Sequence, residues 1–430
     1  MHIYFIGIGG TAIGPLALIA HQIGYKVSGS DKQESQYINY LKKQGITSIN
    51  IGNDENNIKS ANDETPVDWV VYTSAVPLEN PNHPEIIFAK NNGIRHSKRD
   101  ELLSKIIDES GKKLVAIAGT HGKTTTTAMA IWLFKELGIP VSYSVGAKIP
   151  FGDMGHYDQS SEYFVYECDE FDYNFLAFNP YISLITGVDY DHHEIYKTRE
   201  EYVNAFQKFL NQSATNVVWQ DDIDKNSFSL KDADIVIHQD DEILNKLSII
   251  GNVNRRNAFQ VMCSVAKLID KPIPEFIDIM QNFPGLSRRF EKLSDNLYTD
   301  YAHTPPKIAG CLQLASEVSD NVVVVYEPLT NRRQHFVKDE YKKLFKDVKK
   351  LYWVPSYLAR EDPNQPILSP AELIEGLDNK EIAEPAELND SLKSKIQEHL
   401  NNGDLVVCMS GGGGHSLDEW LRTNFTSHEH

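Results

Sequence analysis

The sequence predicts an α/β protein with three domains and mostly parallel sheets. Its 430 residues are 41% hydrophobic and 24% charged, which is enough apolar material for several buried cores. Short runs of β-branched and aromatic residues alternate with longer helical stretches, and several runs are apolar throughout, as strands are when helices cover both faces of a sheet. The predicted strands are Ile3–Ile6, Lys26–Ser28, Trp69–Thr73, Leu114–Ala118, Tyr163–Tyr166, Ile182–Thr186, Val322–Tyr326, Leu351–Val354 and Leu405–Cys408.

Turn-forming and charged residues divide the chain into the three predicted domains, residues 1–110, 111–285 and 286–430. A polar helix near Asp100–Ser110 ends the first, and a new strand follows Gly111. The Phe283–Ser287 turn ends the second and is the predicted hinge before the third. The segment from Gln220 to Lys246 is rich in Asp and Asn, and its pattern predicts no element.

Composition excludes several classes of protein. Forty-two Lys and Arg against 60 Asp and Glu give a formal charge of −18, which repels nucleic acids. The four cysteines lie far apart with no CxxC pair, a pattern that predicts neither disulfides nor structural zinc and favours a reducing compartment. Runs of about 18 apolar residues are missing, as is a secretion signal. We therefore expect a cytoplasmic protein with no nucleic-acid or membrane partner.

The first predicted strand ends in a glycine-rich turn, Gly7-Ile8-Gly9-Gly10-Thr11. A helix follows from Ala12 to Gln22, and the next strand finishes at Asp31. This arrangement resembles a Rossmann-like dinucleotide turn, in which an acid about 20 residues further on contacts a ribose. By itself the turn would suit a nicotinamide-dependent dehydrogenase. Any nucleotide diphosphate, however, fits glycines at a helix N-terminus.

A second glycine turn, Gly119-Thr120-His121-Gly122-Lys123-Thr124-Thr125, follows the strand Leu114–Ala118, and a helix is predicted from Ala128 to Leu137. Glycines let backbone N–H groups surround phosphate oxygens. Lys123 reaches β- and γ-phosphates in such loops, and the Thr124 hydroxyl binds Mg²⁺. The general pattern has one more glycine where Ile117 stands, so the loop is shortened. ATP or GTP binding is favoured over a plain strand–helix turn.

Acidic residues follow the next two predicted strands. Glu167, Asp169, Glu170 and Asp172 come after the strand at Tyr163, and the run Asp189–Glu194, which includes His192, comes after the strand at Ile182. Ligands bind at the carboxyl ends of parallel strands, and Mg²⁺ prefers oxygen ligands. These residues predict a magnesium site beside the phosphate loop. Their alternative role is that of solvated loop charges.

Further motifs extend over essentially the whole chain. In their order and spacing, the motifs of this sequence resemble those of the Mur ligases, ATP-dependent amino-acid ligases of peptidoglycan synthesis. The matching segments are Gly7–Gly10, Gly29–Asp31, Ser74-Ala75, Arg99–Leu103, Gly119–Thr127, Glu167–Asp172, Asp191-His192, Asn254–Asn257, Arg288–Phe290 and Asp300–His303. The resemblance implies an N-terminal UDP-binding domain of Rossmann-like fold, a central P-loop ATPase-like domain and a C-terminal Rossmann-like domain that closes over the site.

The resemblance also implies a reaction. The lactyl carboxylate of UDP-N-acetylmuramate is activated by ATP and Mg²⁺ as an acyl phosphate, and the amine of L-alanine then forms an amide. The next most similar members join a ready-made murein tripeptide to the same sugar nucleotide. A nucleotide-binding regulatory protein and an NAD-dependent dehydrogenase are the rivals from other classes. A monomer or weak homodimer is expected.

Roles for individual residues follow from the resemblance. The implied catalytic residues are Lys123, Glu167 and His192, and the implied metal ligands are Thr124, Glu167 and His192. The implied ATP contacts are Gly119, Thr120, His121, Gly122, Lys123, Thr124, Thr125, Asn257, Arg289 and Asp300. The implied UDP-sugar contacts are Gly9, Gly10, Thr11, Asp31, Ser74 and Arg99. The implied contacts of the third domain with the amine are His303, Arg332 and Arg333.

Three positions depart from the family pattern. Val253, Thr304 and Leu329 stand where the family has histidines. Because two of the three lie in the third domain, they bear on the identity of the incoming amine and leave the phosphate loop unaltered.

Overall fold

Three β-sheets with flanking helices make up the computed structural model, which describes residues 1–193, 195–358 and 361–426. All nine predicted strands are present, and most strand pairs are parallel. The predicted α/β fold class is therefore confirmed.

The first sheet is parallel throughout, with the strand order β3-β2-β1-β4-β5. Its strands are β1 (His2–Ile6), β2 (Lys26–Asp31), β3 (Ile49–Ile51), β4 (Trp69–Tyr72) and β5 (Arg95–Lys98). Its helices are α1 (Ile13–Ile23), α2 (Gln36–Lys43), α3 (Glu55–Glu64), α4 (Ala75–Glu79), α5 (Pro84–Asn91) and α6 (Arg99–Ser110). β1 is buried along its whole length, as a central strand must be, and it leads directly into the first glycine turn.

The second sheet has the order β12-β11-β10-β6-β9-β7-β8, and only its last pair is antiparallel. Its strands are β6 (Lys113–Ala118), β7 (Val141–Ser144), β8 (Gly155–His156), β9 (Tyr163–Glu167), β10 (Ile182–Ile185), β11 (Thr215–Trp219) and β12 (Ile235–Ile237). The α-helices of this part are α7 (Lys123–Glu136), α8 (Arg199–Gln212), α9 (Gln220–Asn226), α10 (Glu242–Lys246), α11 (Asn252–Ile269) and α12 (Ile277–Gln281). Because β6 lies between β9 and β10, the loops after these three strands emerge together at one edge.

The third sheet has the order β13-β14-β18-β15-β16-β17, with β13 antiparallel to β14 and the other pairs parallel. Its strands are β13 (Glu291–Ser294), β14 (Leu297–Asp300), β15 (Val322–Glu327), β16 (Lys350–Trp353), β17 (Ala383–Pro385) and β18 (Leu405–Ser410). Its α-helices are α13 (Pro305–Val318), α14 (Asn331–Val337), α15 (Pro370–Glu375), α16 (Asp390–Asn401) and α17 (Leu417–Phe425).

The chain forms two compact units. The first contains Met1–Leu247 and Arg256–Phe283, and the second contains Ser248–Arg255 and the residues from Pro284 onwards. One apolar core runs through the first two sheets. Gly155 of the second sheet packs closely against Pro15 of α1, because a Cβ on Gly155 would lie 2.4 Å from the carbonyl oxygen of Pro15. The third sheet has cores of its own. The three-domain boundaries and the hinge at Phe283–Ser287 stay predictions.

Two aspects of the secondary structure differ from prediction. The helix after the phosphate loop begins at Lys123 rather than Ala128, because Gly122 ends the loop in a left-handed conformation and the threonines that follow become helical. The segment from Gln220 to Lys246 contains α9, β12 and α10. Its helix α10 begins at an Asp241 cap whose carboxylate accepts from the N–H of Ile243, a short local signal inside a polar stretch.

All four cysteines are buried and unbridged: Cys168, Cys263, Cys311 and Cys408. Burial raises the pKa of each thiol, to about 12 in Cys263. In the part of the chain that the structure describes, no helix combines the length and the apolar character needed to cross a membrane.

Candidate functional site

Two positions of the second glycine turn have backbone conformations that favour glycine. Gly119 has φ 138° and Gly122 has φ 82°, and a Cβ on Gly119 would lie 2.4 Å from Oγ1 of Thr186. The N–H of Thr120 donates to Gly187 O at 2.8 Å, and its hydroxyl donates to Asp189 O at 2.8 Å. The turn is thus fixed against the end of β10, with the N-terminus of α7 beside it, where backbone N–H groups favour anions.

Lys123 begins α7 and is held on two sides. Its Nζ donates to Gly119 O and to Oε2 of Glu170, both at 2.6 Å. Burial opposes the charge of Lys123, but the carboxylates of Glu170, Asp169 and Glu167 outweigh it and raise the pKa of Lys123. Lys123 is therefore an ammonium group in a nearly buried position.

Thr124 and Glu167 form a hydroxyl–carboxylate pair next to Lys123. The Thr124 hydroxyl donates to Oε1 of Glu167 at 2.7 Å, and the N–H of Gly146 donates to Oε2 at 2.7 Å. No three His, Cys, Asp or Glu side chains gather as a metal site anywhere in residues 1–193, 195–358 or 361–426. A hydroxyl and a carboxylate nevertheless fit Mg²⁺, which keeps waters and phosphate oxygens as its other ligands.

Glu170 connects Lys123 with His192. The Glu170 side chain is fully buried, and Nε2 of His192 lies 3.4 Å from its Oε1. Burial alone would raise the pKa of Glu170, but Lys123 and His192 hold it well below its usual range. The structure therefore brings His192 to Glu170, a carboxylate that the sequence placed in the predicted acidic group without an individual role. Glu194, predicted in the same acidic group as His192, lies outside the described residues.

The remaining residues of the predicted ATP site in the first unit surround the turn. Nε2 of His121 lies 3.8 Å from Oδ2 of Asp189, and Thr125 is half-buried in the first turn of α7. The amide of the buried Asn257, from α11, packs against the loop, because its Oδ1 lies 3.1 Å from where a Cβ on Gly122 would be.

The first glycine turn is held by the end of β2. Gly7 and Ile8 donate to Ser30 O, and Gly9 donates to Oδ2 of Asp31 at 2.9 Å. Asp31, predicted as a ribose ligand, thus shapes the turn itself in this structure. Gly10 and Thr11 are exposed just before α1, which starts without a side-chain cap.

Arg99 and Ser74 face the second sheet. Nη2 of Arg99 donates to Oδ2 of Asp169 at 3.1 Å, and the hydroxyl of Ser74 donates to Oδ1 of Asn174 at 3.4 Å. Burial opposes the charge of Arg99, but coulombic attraction to Tyr166, Asp100 and Asp169 together outweighs it and raises the pKa of Arg99.

A cavity of about 230 Å³ joins the two glycine turns. Thr11 and Arg99 line it from the first sheet, and Lys123 and Glu167 line it from the second. It is also lined by Asp169, from the predicted acidic group, and by Ser144, Val145 and Gly146, to which the sequence assigned no ligand contact. Gly146 was missed because it acts through a backbone N–H, which leaves no side-chain signal.

Arg289 and Asp300 lie in the second unit. Oδ2 of Asp300 accepts from the N–H of Phe290 at 2.7 Å, and burial raises the pKa of Asp300 to about 6 despite the nearby Arg289. The guanidinium of Arg289 lies 5.0 Å from the ring centroid of Tyr301. The preceding Arg288 is occupied by the carbonyls of Ser410 and Gly412, at 2.7 and 2.8 Å.

His303 lies near three cations of the same unit. Its Nδ1 is 2.7 Å from Tyr301 O, so Nδ1 must carry the proton. Burial, together with Lys307, Arg333 and Arg289, holds the pKa of His303 well below its usual range. The neutral ring therefore keeps a lone pair on Nε2.

The two adjacent arginines of α14 differ. Arg332 is exposed, and its backbone N–H donates to Oε2 of Glu361 at 2.9 Å. Arg333 is half-buried, and its Nη1 is buried with no hydrogen-bond partner among the described residues. Arg333 is one of the cations that lower the pKa of His303.

The three positions that depart from the family pattern have different surroundings. Val253 is 46% exposed on α11, whereas Thr304 stands at the N-cap position of α13, where its buried hydroxyl makes no hydrogen bond with the described residues. Leu329 contacts the strand end near His303, because a Cβ on Gly411 would lie 3.0 Å from both side chains.

Comparison with known proteins identifies the family. The profile of the Mur ligase family catalytic domain matches residues 2–110, and that of the Mur ligase middle domain matches residues 117–242. A UDP-N-acetylmuramate–L-alanine ligase of Clostridium acetobutylicum is 31% identical, with 97% of this chain and 96% of the relative covered. The chain belongs to the Mur ligase family.

Other members resemble it over similar lengths. A UDP-N-acetylmuramate–L-alanine ligase of Carboxydothermus hydrogenoformans is 30% identical, with 95% of this chain and 94% of the relative covered. The crystal structure of a UDP-N-acetylmuramate–alanine ligase from Thermotoga maritima aligns with a TM-score of 0.75 and 23% identity over 98% of each chain. A murein peptide ligase from Psychrobacter arcticus aligns with a TM-score of 0.65 and 21% identity, over 99% of this chain and 98% of its own. These two structures support the Mur ligase fold.

Proposed function

We propose that this Mur ligase joins L-alanine to the lactyl carboxylate of UDP-N-acetylmuramate at the expense of ATP. The cavity shared by Thr11, Arg99, Lys123 and Glu167 carries the proposal, because a sugar-nucleotide turn and an ATP loop open into one space. Relatives named for this reaction, up to 31% identical over nearly the whole chain, support it.

The ATP loop activates the acceptor. A carboxylate is a poor electrophile, so it first attacks the γ-phosphate of ATP to give an acyl phosphate and ADP. Phosphoryl transfer is catalysed mainly by positioning and charge neutralisation. The loop from Gly119 to Thr125 holds the phosphates, Asn257 supports it at Gly122, and the ammonium group of Lys123 neutralises the oxygens of the β- and γ-phosphates.

Thr124 and Glu167 are the residues that would hold one Mg²⁺, and His192 would hold a second metal ion or orient the carboxylate of the sugar. When bound, Mg²⁺ neutralises phosphate oxygens during transfer. The chain's own contribution is the fixed geometry of these ligands, which the N–H of Gly146 maintains on the far oxygen of Glu167.

The first sheet holds the sugar nucleotide. The turn from Gly9 to Thr11 receives the pyrophosphate at the N-terminus of α1, where the helix dipole favours anions. Arg99 supplies a second positive charge inside the cavity, and Asp31 and Ser74 support the turn and its surroundings.

The second unit binds the amine substrate. The carboxylate of L-alanine pairs with Arg333, with the exposed Arg332 at the outer edge, and the lone pair on Nε2 of His303 receives a proton from the amine. Arg289 and Asp300 contact the nucleotide. The amine then attacks the acyl phosphate, and phosphate leaves. We further propose that the protein works in the cytoplasm as a monomer or weak homodimer.

The test is release of ADP and phosphate from ATP in the presence of UDP-N-acetylmuramate and one of four amines: L-alanine, L-serine, glycine or a murein tripeptide. We expect the highest kcat/KM with L-alanine and no turnover when either the sugar nucleotide or the amine is omitted. A higher kcat/KM with the tripeptide would identify the tripeptide, and not L-alanine, as the amine substrate. ADP formation without any sugar nucleotide would overturn the ligase assignment.

A further inference from the structure

The feature that carries a further inference is the bond between Lys123 and Glu170. Nζ of Lys123 has three protons to donate, and two of them go to Gly119 O and to Oε2 of Glu170, both at 2.6 Å. The side chain of Lys123 is 15% exposed, and that of Glu170 is fully buried. A charge in such a position needs a partner, and Glu170 supplies it.

Glu170 has little freedom to leave this position. Its carbonyl oxygen accepts from the hydroxyl of Tyr196 and from the N–H of Tyr173, so the backbone is fixed on two sides. Its carboxylate lies between Lys123 and His192, at 2.6 and 3.4 Å. Lys123, by contrast, has a long side chain whose end can move while its backbone stays in α7.

A bound nucleotide would place further negative charge at the same ammonium group. Two anions that share one cation in a site of low polarity repel each other strongly. We propose that Glu170 competes with the nucleotide phosphates for Lys123, so that binding requires Lys123 to exchange a carboxylate partner for a phosphate. This inference rests on the nucleotide site of the proposed function.

His192 makes the exchange possible without leaving a buried carboxylate alone. Once Lys123 turns to the phosphates, His192 stays beside Oε1 of Glu170, at 3.4 Å in this structure. Glu170 therefore acts as a positioning residue: it keeps Lys123 charged and aimed at the loop when no nucleotide is present.

The experiment measures binding of the fluorescent analogue methylanthraniloyl-ADP to the full chain in EDTA, which removes divalent cations from the comparison. Glu170→Gln keeps the shape of the side chain and removes its charge. We expect it to bind the analogue at least about tenfold more tightly than the wild type, the change expected when one charge-assisted hydrogen bond no longer opposes binding.

Two comparisons separate competition for Lys123 from a general loss of negative charge. Asp169→Asn removes one charge from the same strand end, but its carboxylate pairs with Arg99, so we expect a much smaller change in affinity. In a Lys123→Met background, Glu170→Gln should not change the affinity for the analogue, because the ammonium group for which Glu170 competes is absent.

If Glu170→Gln does not fold, Glu170→Asp provides the test. Its carboxylate is drawn back by one methylene from the 2.6 Å contact, and we expect tighter binding again. Unchanged or weaker binding by the folded variant, equal tightening by Asp169→Asn, or an effect that persists in Lys123→Met would each overturn the competition. Failure of every protein, including the wild type, to bind the analogue would overturn the nucleotide site as well.

Discussion

Single buried charges determine the chemistry available at the cavity. Lys123, Arg99, Glu167 and Glu170 each have an opposite charge or a hydroxyl within hydrogen-bond distance, and all lie at strand ends or in the loops and helix starts that follow them. The sequence predicted three of these residues from motif and position. The role of Glu170 was not predictable, because it depends on which of several neighbouring acids turns toward Lys123.

Removing the charge of Lys123 is expected to abolish most activity. Lys123→Met should lower acceptor-dependent ADP formation at least about 100-fold, or about 3 kcal/mol of transition-state stabilisation, the typical effect of one preorganised charge contact. Lys105→Met is the matched control, because Lys105 pairs with Glu109 within α6. Near-normal turnover in Lys123→Met would contradict the mechanism.

Glu85 predicts a pH dependence of stability. It is fully buried, accepts from Tyr4 at 2.5 Å and from Ser30 at 2.7 Å, and burial raises its pKa to about 7. A raised carboxyl pKa means that the folded protein binds the proton more tightly than the unfolded chain. The stabilisation is therefore complete below the unfolded pKa, near 4.5, and is lost as the pH rises to about 7.

The measurement is urea unfolding of the wild type and Glu85→Gln across this pH range. The difference in unfolding free energy between the wild type and Glu85→Gln should fall by up to about 3 kcal/mol as the pH rises from 4.5 to about 7, and should then stay constant. Glu55→Gln, at an exposed position of α3, should follow the wild type. Parallel curves for wild type and Glu85→Gln would show that Glu85 does not titrate in this way.

At the scale of elements, the connection from β6 through the loop to α7 is the most sensitive. Gly119→Ala should weaken nucleotide binding about tenfold or more, because φ 138° is strained for alanine and its Cβ would meet Thr186. Gly138→Ala, at φ 67° just after the same helix, has open space around its Cβ. It should lose about 1 kcal/mol of stability and keep its nucleotide affinity. Equal affinity losses in both variants, measured by fluorescence titration, would point to stability alone.

Elements with apolar, buried strands were predictable, and polar or short ones were not. β15 is buried throughout and β6 is buried after Lys113, and both were found from their residues. β5, with the sequence Arg-His-Ser-Lys, has no apolar residue and forms because it pairs with β4. The start of α7 was predicted too late, because the threonines of its first turns have weak helix propensity. These threonines become helical because the left-handed Gly122 ends the loop directly before Lys123.

For the whole molecule, the two units predict two unfolding transitions. The first two sheets share one apolar core, so they should unfold together, whereas the second unit has separate cores. ADP should raise the melting temperature of the first transition more than that of the second, because Lys123 and Thr124 belong to the first unit. Calorimetry of the wild type and Lys123→Met tests this, with a smaller shift expected for the variant. A single transition that ADP shifts as a whole would contradict it.

The distribution of sulfur gives each unit its own internal reporter. Cys168 and Cys263 lie in the first unit, Cys311 and Cys408 in the second, and every thiol is shielded and largely protonated. An alkylating reagent can therefore modify a given pair only when its own half of the chain opens. Mass spectrometry of timed labelling would thus reveal which half comes apart first, without any engineered probe.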